Sequence, residues 1–256
     1  MANQSPKTLN ISVTANTKQA QAQLKGFEGF VNKFAAGASG ALAGIAAGLT
    51  LDKAIDYVKG AITAASELEV EQNKVRQVFR DSAGDIQAFA ETANRALGMT
   101  KAETLEATAN FGVFGKSIGL HGKELTEFST TLTNLSVDVA TFFGGSNKEA
   151  VEAFGSALMG NSQAVRKYDI LLSDLVLKER ALKEGLISTT SEALTPGQKI
   201  WASYKEILAQ TELHQGDVIR QQESLQFQSK MLESALHDLQ VELGEGFLQA
   251  LGEGVG

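Results

Sequence analysis

Cysteine is absent from all 256 residues, which excludes disulfides and thiolate metal sites and fits a reducing compartment. Proline is nearly absent as well. Two prolines and three tyrosines, beside abundant Ala, Gln, Glu and Leu, favour helix over sheet. Positive charge is outweighed: the formal net charge is −7 and the basic residues are scattered rather than blocked. A nucleic-acid surface therefore lacks electrostatic support, and no sequence-specific nucleic-acid partner is expected. The three histidines, His121, His214 and His237, lie far apart with no H-E-x-x-H pattern, so no metal site is expected. The polar start, MANQSPKTLNISV, carries no positive lead into an apolar run and is not expected to act as a secretory signal.

What is present is mostly helical periodicity. Leu9, Ile11 and Val13 alternate with polar neighbours in 7–14, which predicts one short N-terminal strand. A helix over 19–34 follows, with Leu24, Phe27, Phe30, Val31 and Phe34 on one stripe. Phe34 to Leu51 is eighteen residues without a charge, with Gly40, Gly44 and Gly48 spaced for close helix packing. Its length reaches that of a membrane span, but its large apolar side chains are few. Two readings stay open there: a tightly packed or connecting small-residue segment, or transient membrane contact without stable anchoring.

Residues 52–80 read as a helix weakened at Gly60, carrying Ile62, Ala65, Leu68, Val75 and Phe79 inward. Glu67, Glu69 and Glu71 read as a solvated face, because alternate helix positions cannot share a site. After a break at Asp81, Ser82 and Gly84 a helix resumes over 86–97, and Thr100 with Glu103 predicts a capping box before another helix to about Phe111. Gly112, Gly115, Gly119 and Gly122 predict a loop. Gly115-Lys116-Ser117 invites a phosphate-loop reading, but the motif's first glycine would fall at Asn110, and no strand precedes it. Helix 123–143 presents Leu125, Phe128, Leu132, Leu135, Val139 and Phe142 or Phe143 as an apolar stripe, although its many Ser and Thr lower its intrinsic helicity.

The stretch around which the rest is expected to be organised is 146–172. Ser146 and Glu149 suggest a capping box, and Val151, Phe154, Leu158 and Met159 form an apolar face. Gly160 ends that helix, and a second short helix carries Ala164, Val165, Tyr168 and Ile170, with Arg166 expected to pair a carboxylate that locks the hairpin. A helix with Leu175, Val176 and Leu182 follows, then a polar link over 186–194. Thr195-Pro196-Gly197-Gln198 starts the next helix, with Ile200, Trp201, Tyr204, Ile207 and Leu208 inward. Gly216-Asp217 is expected to cap one long segment to about Leu243. Val218, Leu225, Leu232 and Leu239 recur in it every seven residues, extended by Leu236 and Leu243, and the seam is read as intramolecular core rather than an oligomer stripe. No serine sits in a nucleophile elbow: Gly155-Ser156 falls within a helix. No catalytic residue and no cofactor are expected.

These pieces come in a recognisable order. A small-residue helix ending in Ala-Leu-x-Gly, then Ala164-Val165-Arg166-x-Tyr168-x-Ile170, then TPGQKIWASYKEILAQTELHQGDV (195–218) and LESALHDLQVELGEGFL (232–248), resembles the core region of phage tail tape measure proteins. The resemblance singles out Gly160, Arg166, Tyr168, Ile170, Trp201, Tyr204, Gly216 and Asp217 as core-motif positions. It implies an all-α, multi-helix, partly elongated fold after the short N-terminal strand, arranged as 1–51, a helical core 52–248 and a tail 249–256, where a truncation point is expected. It implies a non-enzymatic virion scaffold made in the host cytoplasm and placed in the virion tail. Such a protein nucleates tail-tube polymerisation, sets tail length and leaves ahead of the genome. The implied partners are tail tube protein, tail assembly chaperones, tail tip proteins and further copies of the chain in the tail lumen. The alternatives are a membrane-active, pore-forming helical protein using 34–51 and, further off, a nucleotide-binding enzyme using Lys116.

Overall fold

The computed structural model describes residues 51–253, and every regular element among them is helical. The strand over 7–14, the helix over 19–34 and the Gly40, Gly44 and Gly48 segment lie outside the described residues. The chain divides into two units, Met1–Tyr57 and Val58–Gly256. The second is all-α in its described residues.

The first helix, α1, runs unbroken from Leu51 to Phe79. Gly60 does not interrupt it, and a Cβ there would stand 2.8 Å from the movable end of the Gln240 side chain. A 3-10 turn at Arg80–Ser82 leads into α2 (Ala83–Glu91) and α3 (Ala93–Leu97). Then α4 spans Lys101–Ser117 and opens on the expected capping box, Glu103 N–H to Thr100 Oγ1 at 3.1 Å and Thr100 N–H to Glu103 Oε2 at 2.9 Å.

The predicted glycine loop is therefore displaced. Gly112 and Gly115 lie inside α4, Gly119 alone of the four occupies the turn, with φ 89°, and Gly122 opens the next helix with φ 54°. The reason is packing. A Cβ on Gly112 would come within 2.6 Å of the Phe79 ring, and one on Gly115 within 2.6 Å of Leu125. Lys116 and Ser117 are exposed in the last helical turn, where Ser117 donates to the Phe114 carbonyl.

Helix α5 (Gly122–Phe143) supplies residues to every buried cluster, Phe128, Leu132, Leu135 and Val139 to the largest, Leu125 to a second and Val137 to a third, as α4 does with Phe111, Leu105 and Ala107. These two helices, rather than the 146–172 hairpin, are the elements on which the others rest. The serines and threonines of α5 do not spoil it, because Ser129, Thr133 and Ser136 donate back to carbonyls four residues earlier at 2.7–2.9 Å and so bury no unsatisfied hydroxyl. Their small size also lets α4 approach, with Thr108 and Thr133 hydroxyls 3.3 Å apart across the interface.

The hairpin follows as α6 (Asn147–Leu158), a 3-10 turn Ser162–Tyr168 in place of a second α-helix, and an extended run into α7 (Asp174–Lys183). The inward face of α7 is Leu177 and Ala181, while the expected Leu175 and Leu182 are exposed. The link 186–194 is less polar than its composition suggests, since Ile187 and Leu194 are buried at its ends. Helix α8 (Pro196–Gln210) begins with the predicted proline and capping box, and Gln198 also ties back to the Leu186 carbonyl at 2.7 Å. A 3-10 turn, Glu212–His214, precedes α9 (Asp217–Arg220) and α10 (Leu225–Glu253).

The single long helix predicted from Asp217 is thus two. Ser224 breaks it by accepting the Phe227 N–H at 3.1 Å, a side-chain cap that restarts the helix with a new phase. The re-phasing puts Phe227, Met231, Ser234, Val241 and Gly244 inward. It leaves Leu225, Leu232 and Leu236 exposed and Leu239 and Leu243 half-buried, so of the intramolecular seam expected only Val218 is fully inside. Only a small residue fits against α1, because a Cβ on Gly244 would lie 2.0 Å from the Ala61 carbonyl oxygen.

Candidate functional site

The core-motif positions do not form one surface cluster; several of them meet in a buried polar joint at the C-terminal end of α5. Gly160 ends α6 with φ 97°. Its own N–H bonds the Ala157 carbonyl and that of Asn161 reaches back to Ser156, both at 2.9 Å. This paired closure covers carbonyls that the helix end would leave bare, and the left-handed backbone it needs suits glycine. The chain then coils through Val165 and Tyr168, turns at Asp169 with φ 56° and buries Ile170 completely.

Two details of the hairpin differ from expectation. Ser146 makes no side-chain cap bond, and the Glu149 carboxylate is engaged by Lys167 at 3.0 Å rather than by the helix start. That same pair replaces the one assigned to Arg166, which is exposed and makes no ion pair among the described residues. The hydrogen bond that Lys167 donates to Glu149 raises its ammonium above its ordinary range. Met159, expected inside, is 71% exposed.

Tyr168 packs its ring edge-on to Phe143, 5.7 Å between centroids. Phe143 and Phe142 in turn flank the His214 ring at 5.6 and 4.1 Å. His214 Nδ1 lies 3.8 Å from Asp217 Oδ2, and the other Asp217 oxygen takes the Arg220 guanidinium. Tyr168, Gly216 and Asp217, far apart in sequence, are in this way joined through the last turn of α5. The Tyr168 hydroxyl, His214 Nδ1 and Asp217 Oδ2 are all buried without a hydrogen-bond partner among the described residues.

The residue that closes the joint was not picked out by sequence. Asp138, on α5, accepts the Gly216 N–H at 2.9 Å and the Val218 N–H at 3.0 Å, one on each carboxylate oxygen, and so caps α9 from 78 positions away. Burial raises its carboxyl above the usual aspartate range, against the opposing pull of those two amides. A signal existed: it is a lone acid on the buried side of an otherwise apolar and hydroxyl-bearing stretch, which in a folded core requires donors. Asp238 on α10 does the same for the start of α4, accepting the Lys101 N–H at 3.0 Å, and its carboxyl is likewise raised by burial.

Trp201 and Tyr204 lie on α8, away from this joint. Tyr204 packs tilted against Phe128 at 4.5 Å and against Trp201 at 5.6 Å, with the Lys205 ammonium over the Trp201 and Tyr204 rings. At the last position of α8, Gln210 holds the extended chain: it accepts the Leu171 N–H at 2.8 Å and donates to the Leu171 carbonyl at 2.9 Å. It also donates to Glu206, which pairs with Arg180 at 2.7 Å. These groups floor an open groove of about 400 Å³ between α7 and α8. The chemistry on view is structural: amides capped by carboxylates, an amide side chain standing in for a strand partner, and aromatic rings stacked around one histidine. Among the described residues no helix is long and apolar enough to cross a membrane. Comparison with protein-family models, curated proteins and solved structures finds no match to this chain.

Proposed function

We propose that this chain is the core part of a phage tail tape measure protein: a structural scaffold that nucleates tail-tube assembly and sets tail length. The observation that carries the reading is the ordered series of motifs from Ala157-Leu158-x-Gly160 to Gln215-Gly216-Asp217. It is supported by what those positions do. Tyr168 and Ile170 are core residues, Gln210 grips the backbone next to Ile170, and Gly216 and Asp217 meet the same end of α5 as Tyr168. A helical chain also carries a fixed rise of about 1.5 Å per residue, the physical basis of a ruler. Its partners in this reading are tube subunits, assembly chaperones and tip proteins.

The test is an immunoblot of purified tailed particles with antibody raised against residues 195–243. The reading predicts a band in the particles, at 27.2 kDa or larger. Signal in expressing cells with none in particles contradicts it and favours the pore-forming alternative, which liposome leakage by the purified chain would then support.

A further inference from the structure

Helix α10 has two apolar faces and its own fold uses one. Phe227, Met231, Ser234 and Val241 face the core, and Gly244 meets α1. On the other side Leu225, Ser229, Leu232, Leu236, Leu239 and Leu243 occupy alternating four- and three-residue steps, the spacing of a coiled-coil seam. Leu225, Leu232 and Leu236 are 82%, 60% and 56% exposed, while Leu239 and Leu243 are half-buried. An apolar stripe about 27 Å long, set along a helix already anchored by its opposite face, marks a contact surface rather than a scatter of surface leucines.

We propose that this seam pairs with the same seam of a second copy of the chain. Leucine rows are self-complementary, as a two-fold interface requires. The flanking positions agree: Gln226, Gln228, Glu233, Ala235, Gln240 and Glu242 include two carboxylates and no cation. In parallel register Glu233 faces Gln228, and in the antiparallel register that sets Leu232 against Leu243 and Leu236 against Leu239 it faces Gln240 while Glu242 faces Ala235. Neither arrangement sets carboxylate against carboxylate. The same flanks disfavour a lipid surface, which amphipathic helices meet with lysine and arginine beside the apolar face. Pairing rests on this helix alone, independently of whether the chain is packaged in a particle.

The test is sedimentation equilibrium on the full chain from low micromolar to about 200 µM, a range in which an association of modest strength is resolved. The expected result is a concentration-dependent species of twice the 27.2 kDa chain mass. Leu232→Glu/Leu236→Glu is expected to weaken association roughly 100-fold, since it places carboxylates in an apolar seam. Leu232→Ala/Leu236→Ala, which adds no charge, is expected to weaken it roughly 10-fold, and both should keep the wild-type far-UV spectrum because these leucines are exposed in the single chain. A chain that stays monomeric throughout overturns the proposal, whether its first fifty residues or a foreign protein covers the seam. So does a dimer indifferent to both double variants, which would place the interface elsewhere.

Discussion

The helices gathered around α5 and the segment from Thr211 to Glu253 are held in place by different means. In the first region Phe111, Phe128, Phe154, Leu132, Leu158 and Ile207 are wholly or almost wholly buried, and interior hydroxyls are satisfied within their own helices. Contact there is a matter of shape, down to glycines whose hydrogens are all the space permits. The second region also buries Val218, Phe227 and Val241 and fits Gly244 against Ala61, but it adds polar attachments: Asp138 on the start of α9, Asp238 on the start of α4, and Lys230 toward the Gly145 carbonyl at 3.4 Å, its ammonium lowered by burial. Apolar burial tolerates small shifts but not lost volume, whereas a buried carboxylate holds only while its donors stay in reach. The tail of this unit is held by one apolar face of α10 together with buried carboxylate pins, and its opposite face presents leucine to the outside.

Breaking the shape-held region should have the largest effect. Phe154→Ala, at a side chain with no exposure, is expected to cost about 4 kcal/mol in urea unfolding. Gly115→Val should cost about 3 kcal/mol, since its Cβ alone would overlap Leu125 and Phe128. Breaking a polar pin should do less globally and more locally. Asp138→Ala leaves the Gly216 and Val218 N–H groups without their acceptor and is expected to cost about 2–3 kcal/mol, with faster amide exchange through 216–220. Smaller again is the α8 cap: Thr195→Ala should cost about 1 kcal/mol.

Acidity separates the two regions further. Because burial holds the Asp138 and Asp238 carboxyls above their ordinary value, the folded state takes up these protons before the unfolded chain does. Their contribution to stability therefore grows as pH falls through the folded pKa toward the ordinary aspartate range, and is lost as pH rises. The stability gap between wild type and Asp138→Asn should widen in favour of wild type over that interval. A gap that closes on acidification would mean that the amide donors outweigh burial.

The helices themselves were legible where a local signal set them. The Thr100 and Thr195 boxes, the glycine stop at Gly160 and the α5 stripe each act through residues three or four apart, and each has its predicted role. Misreadings came where a distant neighbour decided. Gly112 and Gly115 read as turn residues, yet Phe79 and Leu125 make them helix-contact residues. Ser146 and Glu149 have the right spacing for a box, but Lys167 takes the carboxylate. The leucine repeat from 225 to 243 was visible as a seam, but its direction was set by Ser224 re-phasing the helix and by Gly244 against Ala61, neither of which periodicity can report. Asp138 illustrates the same limit at the candidate site: its partners lie 78 and 80 residues away.

The most direct test of this two-region account is native-state hydrogen exchange of the full chain at low and at high concentration, resolved by mass spectrometry. The account predicts the slowest exchange in α4, α5 and α6 at every concentration. It predicts faster exchange over 216–243 in dilute solution, slowing there as concentration rises and the leucine seam is covered. Equal protection of α5 and α10 in dilute solution, with no dependence on concentration, would contradict it.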